Sequence, residues 1–278
     1  MADESIEQLA KVARDYDRLL TPSLFVVWND HTLDAAHLHP GDKVLDVACG
    51  PGELTLNAAR RVSPDGGVTG LDLNPGMLAV ARSKSTDIDW LEGDAESLPF
   101  EDASFDAVLC QFGLMLFGDP VRAVAEMYRV LRPHRHLVVA VFDGLEQQPV
   151  YRTLADVYEQ LVSPDVGELL RAPFSLGDPE TLNGLFTSAG IHDTDRVRRQ
   201  ETARFVSLRD LVLADSQGWF PFAGVELSPD QIERVVREVE SALSAYQEPD
   251  GTVEFRVSAH LVTATKQAEE DRNRHLAI

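Results

Sequence analysis

The sequence predicts an α/β fold in which a mostly parallel sheet carries helices on both faces. A short apolar stretch that includes Val44, Leu45 and Val47 is followed by a glycine turn at residues 50–52 and by a helical pattern from Glu53. Further strand-like stretches follow up to residue 111, and helical patterns separate them. Strands that alternate with helices in this way form parallel sheets.

The turn at residues 50–52 is the first candidate for binding a ligand. Gly50 and Gly52 flank Pro51 between a strand and a helix. Glycines allow the backbone to approach a ligand, and the first turn of a helix presents free N–H groups. Thr55 occupies the place of a third glycine of the dinucleotide-binding pattern. The turn by itself is therefore also consistent with a tight connection that binds nothing.

Polar residues at the ends of later strands add to this signal. Asp72 ends the second strand, 20 residues after Gly52, where a carboxylate can accept hydrogen bonds from ribose hydroxyls. Asp94 and Gln111 end the third and fourth strands. Because parallel α/β sheets bind ligands at the carboxyl ends of their strands, these groups are expected to share one cleft.

Several segments together resemble the class I S-adenosylmethionine-dependent methyltransferases. The matching segments are residues 44–55, 70–74 with 76–78, 93–100, 105–117, 131–133 and 137–142. The Gly-Asp-Ala…Leu-Pro-Phe pattern at 93–100 is most similar to small-molecule methyltransferases of ubiquinone and menaquinone biosynthesis. The resemblance implies a Rossmann-like, seven-stranded sheet, S-adenosylmethionine as methyl donor, S-adenosylhomocysteine as product and a small-molecule methyl acceptor.

The resemblance also implies which residues bind the cofactor. They are Ala48, Gly50, Gly52, Asp72, Leu73, Met77, Gly93, Asp94, Ala95 and Gln111. In this reading Asp72 binds the ribose, Leu73 and Met77 contact the adenine, and Asp94 accepts the adenine amino group. Two alternatives stay open at this point, since Met77 also suits a core position and Asp94 also suits the cap of a short helix.

Segments outside the motifs are expected to form the acceptor pocket. Residues 1–40 carry helical patterns and are interpreted as an N-terminal helical cap on a methyltransferase domain of residues 41–278, with a helical lid at about 205–250. The predicted pocket residues are Tyr16, Trp28, Phe112, Phe117, Trp219 and Phe222. Tyr16 and Trp28 are equally consistent with packing of the helices on the sheet. An apolar acceptor suits these aromatic side chains.

The amino-acid composition limits the classes of molecule that the protein is expected to bind. The net charge of −21 disfavours DNA or RNA as the acceptor, because an acidic surface repels phosphates. No apolar run approaches the ~20 residues that span a bilayer, and the acidic N-terminus does not resemble a secretory signal. Cys49 and Cys110 give no disulfide framework. We therefore expect a cytoplasmic protein, and a homodimer is left open.

The sequence does not select a catalytic residue. Four histidines, His31, His37, His192 and His260, could serve as a base, but each also suits a structural or exposed position. No complete set of metal ligands is present; His134 and His136 are interpreted as part of a surface turn before the fifth strand, away from the cofactor. Two alternatives to methyl transfer remain: other chemistry with the same cofactor, and a non-catalytic binding protein.

Overall fold

The structure is a computed structural model that describes residues 2–268. Within these residues, seven strands form one sheet in the order β3-β2-β1-β4-β5-β7-β6. The strands are β1 (Lys43–Val47), β2 (Gly67–Asp72), β3 (Asp89–Glu92), β4 (Phe105–Gln111), β5 (Leu131–Phe142), β6 (Thr194–Phe205) and β7 (Val253–Thr265). Neighbours from β3 to β5 pair in parallel, whereas β7 is antiparallel to β5 and β6. The predicted seven-stranded, mostly parallel sheet is confirmed.

Ten α-helices accompany this sheet in the described residues. They are α1 (Ala2–Leu19), α2 (Asn29–Ala35), α3 (Glu53–Val62), α4 (Pro75–Lys84), α5 (Pro120–Val130), α6 (Pro149–Leu161), α7 (Pro164–Arg171), α8 (Pro179–Ser188), α9 (Leu208–Leu213) and α10 (Pro229–Ala242). The helix that the sequence predicts near Pro22 is divided into a π-helical turn (Thr21–Phe25), a 3-10 turn (Val26–Trp28) and α2. A second π-helical turn, Ala214–Trp219, follows α9.

Helices cover both faces of the sheet, as the sequence predicts. In β4, Val108 and Cys110 belong to a core cluster that includes side chains of α5 and α8. The alternating residues Ala107 and Leu109 belong to another cluster, which includes side chains of α2 and α3. This period of two places each face of the strand against its own layer of helices. All four side chains are fully buried.

Local capping explains where the helices beside the sheet begin. The Asn74 side chain accepts hydrogen bonds from the N–H groups of Gly76 (2.8 Å) and Met77 (3.2 Å), so it caps α4. Asp119 caps α5 through the N–H of Arg122 at 3.0 Å, as its position before Pro120 predicts. These caps satisfy N–H groups that a helix leaves unpaired at its first turn.

The strand order places a crevice at the carboxyl ends of β1, β2 and β4. Strand β1 pairs with β2 on one side and with β4 on the other, so the chain order reverses at β1. Such a reversal leaves a crevice between the connections that follow the two neighbouring strands. The glycine turn, the end of β2 and the residues after β4 meet there.

The predicted turn at residues 132–136 is wrong, because these residues belong to β5. The strand begins at Leu131, and His136 pairs with Thr265 of β7. The side chains of Arg132 and Arg135 form ion pairs with Asp106 (2.8 Å) and with Asp42 (3.0 Å), which are both buried. The basic residues therefore neutralise buried acids at the end of the sheet opposite the crevice.

The segment between β6 and β7 is helical, as expected for residues 205–250. It contains α9, the π-helical turn Ala214–Trp219, a 3-10 turn (Phe220–Ala223) and α10. Its two ends lie side by side, because Phe205 and Val253 are partners in the antiparallel β6–β7 register.

None of the helices in the described part of the chain has the length and apolar character needed to cross a membrane.

Candidate active site

A cavity with a volume of about 480 Å³ lies in the crevice. We call it the main cavity. Nine of the ten predicted cofactor residues line it: Ala48, Gly50, Asp72, Leu73, Met77, Gly93, Asp94, Ala95 and Gln111. Small-molecule sites usually occupy about 300–1,000 Å³, so this volume suits a nucleoside-sized ligand. The main cavity thus brings together residues that are more than 60 positions apart in the sequence.

The glycine turn forms one wall of the main cavity. Gly50 adopts a left-handed conformation with φ of +55°, and a Cβ added to it would meet no atom within 4 Å. The Gly50 N–H donates a hydrogen bond of 2.8 Å to Oδ2 of Asp72. The other Asp72 oxygen, Oδ1, accepts the N–H of Asn74 at 2.8 Å. The turn is thereby tied to the end of β2 with its open side toward the cavity.

Asp72 keeps acceptor capacity while it fixes the turn. Each of its oxygens accepts one backbone hydrogen bond, and a carboxylate oxygen can accept two. Burial raises the pKa of Asp72 above its ordinary value, and the hydrogen bonds from Asn74 and Gly50 oppose this shift. A hydroxyl donor from a ligand would stabilise the charged form further.

Apolar side chains stand exposed at the mouth of the main cavity. Leu73 is 68% exposed and Leu116 is 50% exposed, although both are large hydrophobic residues. Met77 lines the same cavity and also packs against Ala13 and Val80, so it occupies a core position and its contact with adenine stays a prediction. Exposed apolar groups at a concave site are typical of surfaces that a ligand covers.

Asp94 closes a turn rather than capping a helix. Its Oδ1 accepts the N–H of Glu96 at 2.8 Å, and Ser97 N–H donates to its backbone carbonyl at 3.1 Å. No helix begins there; the next helical element is a 3-10 turn (Leu114–Leu116), and the next α-helix is α5. The exposed Asp94 side chain lines the main cavity, and its second oxygen is available for a donor.

Gln111 connects the end of β4 to the N-terminal helices. Its Oε1 accepts the hydroxyl of Thr32 at 2.6 Å, and its Nε2 donates to Oδ1 of Asn29 at 3.0 Å. Gln111 lines both the main cavity and a smaller pocket of about 60 Å³. The side-chain amide therefore holds the helices of residues 21–35 against the strand end that borders both spaces.

The smaller pocket is polar, and we call it the polar pocket. It contains two buried groups without a hydrogen-bond partner, Oγ1 of Thr21 and Nδ2 of Asn29. Asp46 also lines it; burial raises the pKa of Asp46 from 3.8 to about 7, the Asp72 charge adds to this, and the hydroxyl of Thr55 opposes it. Unpaired donors and acceptors beside an acid would suit a zwitterionic amino-acid group.

A third space, the inner chamber, adjoins the main cavity and is mostly aromatic. Its volume is about 60 Å³, and it shares Tyr16, Phe112, Leu116 and Trp219 with the main cavity. The other residues that line it are Leu20, Leu24, Phe25, Met115, Phe142, Tyr151, Leu170, Pro173, Phe174 and Asp215. The rings contact one another: Phe112 stacks on Phe142 at 4.1 Å between centroids, and Tyr16 stacks on Phe25 at 5.6 Å.

Five of the six predicted acceptor-pocket residues line these spaces. Tyr16, Phe112 and Trp219 border both the main cavity and the inner chamber, and Phe117 and Phe222 border the main cavity. The sixth, Trp28, lines neither space.

Two predicted site residues have structural positions instead. Trp28 is fully buried and packs edge-on against Phe112 at 5.7 Å, so it supports the pocket from behind. Gly52 precedes α3 with φ of +85°, and a Cβ there would lie 2.4 Å from the Trp90 ring. Glycine is needed at position 52 for packing and for the left-handed backbone.

None of the four histidines considered as a base lines the main cavity or the inner chamber. His260 is buried in β7, where its ring contacts Arg196 (3.1 Å), Asp143 (3.2 Å) and the Gly177 carbonyl (3.1 Å). His31 forms a contact of 2.6 Å with Glu201 of β6. The acidic residue of the inner chamber, Asp215, was missed by sequence reasoning.

Comparison with known proteins agrees with this geometry. The profile of the ubiE/COQ5 methyltransferase family matches residues 3–196. The chain belongs to this family. A demethylmenaquinone methyltransferase of Staphylococcus epidermidis is 33% identical over 199 residues, which are 66% of this chain and 82% of the relative.

Solved structures show the same fold. A Bacillus halodurans protein described as a candidate methyltransferase superposes with a TM-score of 0.59 at 20% identity, over 86% of this chain and 99% of that one. A phosphoethanolamine N-methyltransferase of Haemonchus contortus, solved with S-adenosylhomocysteine and phosphomonomethylethanolamine, gives 0.58 at 18% identity over 92% of this chain and 57% of that one.

This member of the ubiE/COQ5 family is an S-adenosylmethionine-dependent methyltransferase that acts on a small molecule. The residues present fit the cofactor: Gly50 leaves open the space that a Cβ would fill, and unpaired polar groups line the polar pocket. The family match ends at residue 196, whereas Asp215, Trp219 and Phe222 lie beyond it. The main cavity and the inner chamber are therefore partly lined by a segment that the family pattern does not describe.

Proposed function

We propose that this methyltransferase acts on an O, C or N atom of a mostly apolar metabolite whose ring system enters the aromatic side of the site. The observation that carries the proposal is the inner chamber, which adjoins the main cavity beside Gln111 and is walled by aromatic side chains. Because a relative is named for demethylmenaquinone, aromatic diols are the first acceptor class to test. The family match ends at residue 196, so the acceptor of this chain has to be tested independently of its relatives.

Cofactor binding is assigned to the main cavity and the polar pocket. Asp72 would accept the ribose hydroxyls, Leu73, Met77 and Ala95 would contact the adenine, and Asp94 would accept its amino group. The turn at Ala48 and Gly50, with Gly93 and Gln111, would complete the wall. The unpaired donors of Thr21 and Asn29 would bind the carboxylate of the methionine part.

S-adenosylmethionine supplies a methyl group on a positively charged sulfur, which is already a strong electrophile. The chain therefore has to align the acceptor and exclude water. Phe112 and Phe142 form a rigid stacked wall, and Gln111 fixes the neighbouring helices to β4. These groups hold the acceptor on the side of the main cavity that the methionine part reaches.

Residues 1–40 are proposed to act as a cap and residues 205–250 as a lid. Tyr16 of α1 and Phe222 of the lid contact each other at 6.1 Å between ring centroids, across the entrance. Trp219 donates its indole N–H to the Leu169 carbonyl of α7 at 3.4 Å. Contacts of this kind join the cap, the lid and α7 around the acceptor.

The remaining assignments concern partners and location. The net charge of −21 disfavours nucleic acid as an acceptor. Cys49 and Cys110 are both free thiols, which suits a reducing cytoplasm. Light scattering during size-exclusion chromatography would distinguish a monomer from the homodimer that the sequence leaves open.

Calorimetric titration with S-adenosylhomocysteine tests the cofactor assignment. Asp72→Ala should weaken binding by at least about 30-fold, because it removes the proposed ribose acceptor and loosens the glycine turn. Asp89→Ala, an exposed acid at the other end of a neighbouring strand, should bind like the wild type. Unchanged affinity in a folded Asp72→Ala protein would refute the placement.

A panel of acceptors tests the substrate class. The wild type is incubated with S-adenosylmethionine and 1,4-dihydroxynaphthalene, 2-naphthol or 2-naphthylamine, and release of S-adenosylhomocysteine is measured. Duplex DNA and a mixed peptide pool serve as comparison acceptors. Turnover with the ring compounds above the comparison acceptors supports the proposal. Turnover confined to DNA or peptide would contradict it.

A further inference from the structure

A buried acid lies in the wall of the inner chamber, whose other lining residues carry no charge. Asp215 is 2% exposed, and its Oδ2 has no hydrogen-bond partner. Among the described residues that line the chamber, no lysine, arginine or histidine is present to pair with it. Leaving a buried polar atom unpaired is costly, so such an atom calls for a ligand or a functional reason.

The backbone around Asp215 is also unusual. Asp215 and Trp219 both belong to the π-helical turn Ala214–Trp219, and both line the inner chamber. π-Helical turns are rare and are frequent at functional sites. The turn follows directly from the regular helix α9. Asp215 and Trp219 are four residues apart in this turn and contribute an acid and an indole ring to the same chamber.

Two tyrosine hydroxyls lie near Asp215: Tyr151 lines the chamber, whereas Tyr158 lies behind its wall. The Tyr158 hydroxyl lies within reach of both the Asp215 carboxyl and the Val212 carbonyl, at 3.2 Å from the latter. The Tyr151 hydroxyl is buried without a partner, and Tyr151 lines the chamber. Two unpaired polar atoms, one on Asp215 and one on Tyr151, therefore occur in one small space that is otherwise lined by apolar side chains and by the rings of Tyr16 and Trp219.

The raised pKa values of Asp215 and Tyr151 are consistent with a hydroxyl group as the hydrogen-bonding partner of both side chains. Burial raises the pKa of Asp215 well above its ordinary value, and the hydrogen bond from Tyr158 only partly opposes this. Burial and the nearby Asp215 carboxyl also raise the pKa of Tyr151. The Asp215 carboxyl can accept a hydrogen bond from a hydroxyl group in either protonation state, and the neutral phenol of Tyr151 can donate one to it.

We propose that Asp215 and Tyr151 bind a hydroxyl group of the methyl acceptor, so that the acceptor is an apolar molecule that buries a hydroxyl in the inner chamber. This inference rests on the proposed function, because it assigns the inner chamber to the acceptor. A volume of about 60 Å³ accommodates a small substituent and the edge that carries it. The rest of the acceptor would extend between Phe112 and Trp219 toward the main cavity.

Paired probes of similar shape test the assignment in the intact protein saturated with S-adenosylhomocysteine. Binding of 2-naphthol and of 2-methylnaphthalene, which replaces the hydroxyl by a methyl group, is measured by calorimetry. The wild type should bind 2-naphthol at least about tenfold more tightly, as expected for a hydrogen bond to a buried polar group. Asp215→Leu should abolish this preference, and 2-methylnaphthalene should bind no more weakly than to the wild type.

Two milder variants separate recognition from folding. Tyr151→Phe removes only the unpaired hydroxyl and should reduce the preference by about threefold or more. Ser216→Ala is the matched control, since Ser216 is also buried in the same turn but donates to the Val212 carbonyl and does not line the chamber. Its preference should equal that of the wild type.

Several results would overturn the inference. Equal weakening of both probes in Asp215→Leu and Tyr151→Phe, with the preference retained, would indicate a structural role alone. Tighter wild-type binding of 2-naphthylamine than of 2-naphthol would reassign the group to an amine. Equal binding of 2-naphthol and 2-methylnaphthalene by the wild type would refute the hydroxyl assignment while the apolar acceptor stands. Binding of S-adenosylhomocysteine but of none of the probes would instead refute the proposed acceptor class itself.

Discussion

Asp46 and Asp215 are both buried acids of the site, but their surroundings differ. Asp46 accepts the Thr55 hydroxyl at 2.6 Å and lies in the polar pocket, near Asp72. Asp215 lies among aromatic rings and leaves one oxygen unpaired. The first acid faces the pocket assigned to the charged part of the cofactor, and the second faces the pocket assigned to an apolar acceptor.

The raised pKa of Asp46 makes the free energy of unfolding depend on pH. The value is about 7 in the folded protein against 3.8 ordinarily, so between pH 4 and 7 the unfolded chain loses this proton first. The free energy of unfolding contributed by Asp46 therefore falls as pH rises through this range and levels off above pH 7. The Asp46→Asn variant has no ionisable group at this position and therefore lacks this pH dependence.

Urea denaturation at pH 5 and pH 8 measures this effect. The stability of the wild type relative to Asp46→Asn should fall by roughly 2–3 kcal/mol from pH 5 to pH 8. The wild type relative to Asp89→Asn should show no comparable change, since Asp89 is exposed. A constant difference between wild type and Asp46→Asn would mean that Asp46 titrates near its ordinary value in the folded protein.

Residues at strand ends were predictable from the sequence, whereas Asp215 was not. Asp72, Asp94 and Gln111 follow recognisable strands at regular spacing, and parallel topology forces their side chains toward one crevice. The signal for Asp215 is weaker: it is spaced four residues after Leu211 and four before Trp219, which places an acid in an apolar helical stripe. Only the chamber shows that this acid has no partner.

At the scale of elements, two π-helical turns contribute side chains to the inner chamber. Thr21–Phe25 contributes Leu24 and Phe25 to the inner chamber, and Ala214–Trp219 contributes Asp215 and Trp219. A π-helical turn changes the direction in which successive side chains point. Periodicity of 3.6 residues predicts that helices are present in these segments but cannot predict which side chains the irregular turns direct inward.

Trp219 belongs to the proposed lid and should affect the acceptor more than the cofactor. It lines both the main cavity and the inner chamber. Trp219→Ala should lower kcat/KM for the acceptor by about tenfold or more, because an aromatic wall contributes roughly 1.5–3 kcal/mol of burial. The Kd of S-adenosylhomocysteine should change less than threefold.

Val206→Ala is the matched control for the lid, since Val206 lies in the same segment and is 77% exposed. It should leave kcat/KM unchanged. Steady-state kinetics on the best acceptor of the panel, with calorimetry for the cofactor product, gives both quantities. A Trp219→Ala variant that loses cofactor affinity and acceptor turnover to the same extent would contradict the division of the site.

The sequence predicted that the strands are present more accurately than it predicted the residue at which each strand begins. The apolar stretch 137–142 marks β5, but the strand extends back to Leu131 because Arg132 and Arg135 pair with buried acids that no local pattern connects to them. Trp28 shows the same limit for helices. Its spacing puts it on an inward face, and only the packing against Phe112 distinguishes a supporting side chain from a pocket wall.

For the whole molecule, the net charge of −21 should make stability sensitive to salt. Screening lengths fall from about 30 Å at 0.01 M to about 8 Å at 0.15 M, so repulsion across the surface weakens. Thermal unfolding should therefore occur at least about 2 °C higher in 150 mM than in 10 mM NaCl. KCl should raise the Tm by the same amount as NaCl. A Tm that stays constant or falls as the salt concentration rises would show that charge repulsion does not limit stability.

The pairing of Phe205 with Val253 has a consequence for how such enzymes can diversify. Residues 206–252 leave and rejoin the sheet at adjacent positions, so another segment could be grafted between β6 and β7 without disturbing either strand. The nine predicted cofactor residues that line the main cavity all lie before residue 196, so such a graft would leave them unchanged. Recombination at this junction would give enzymes that share a methyl donor and differ in what they methylate.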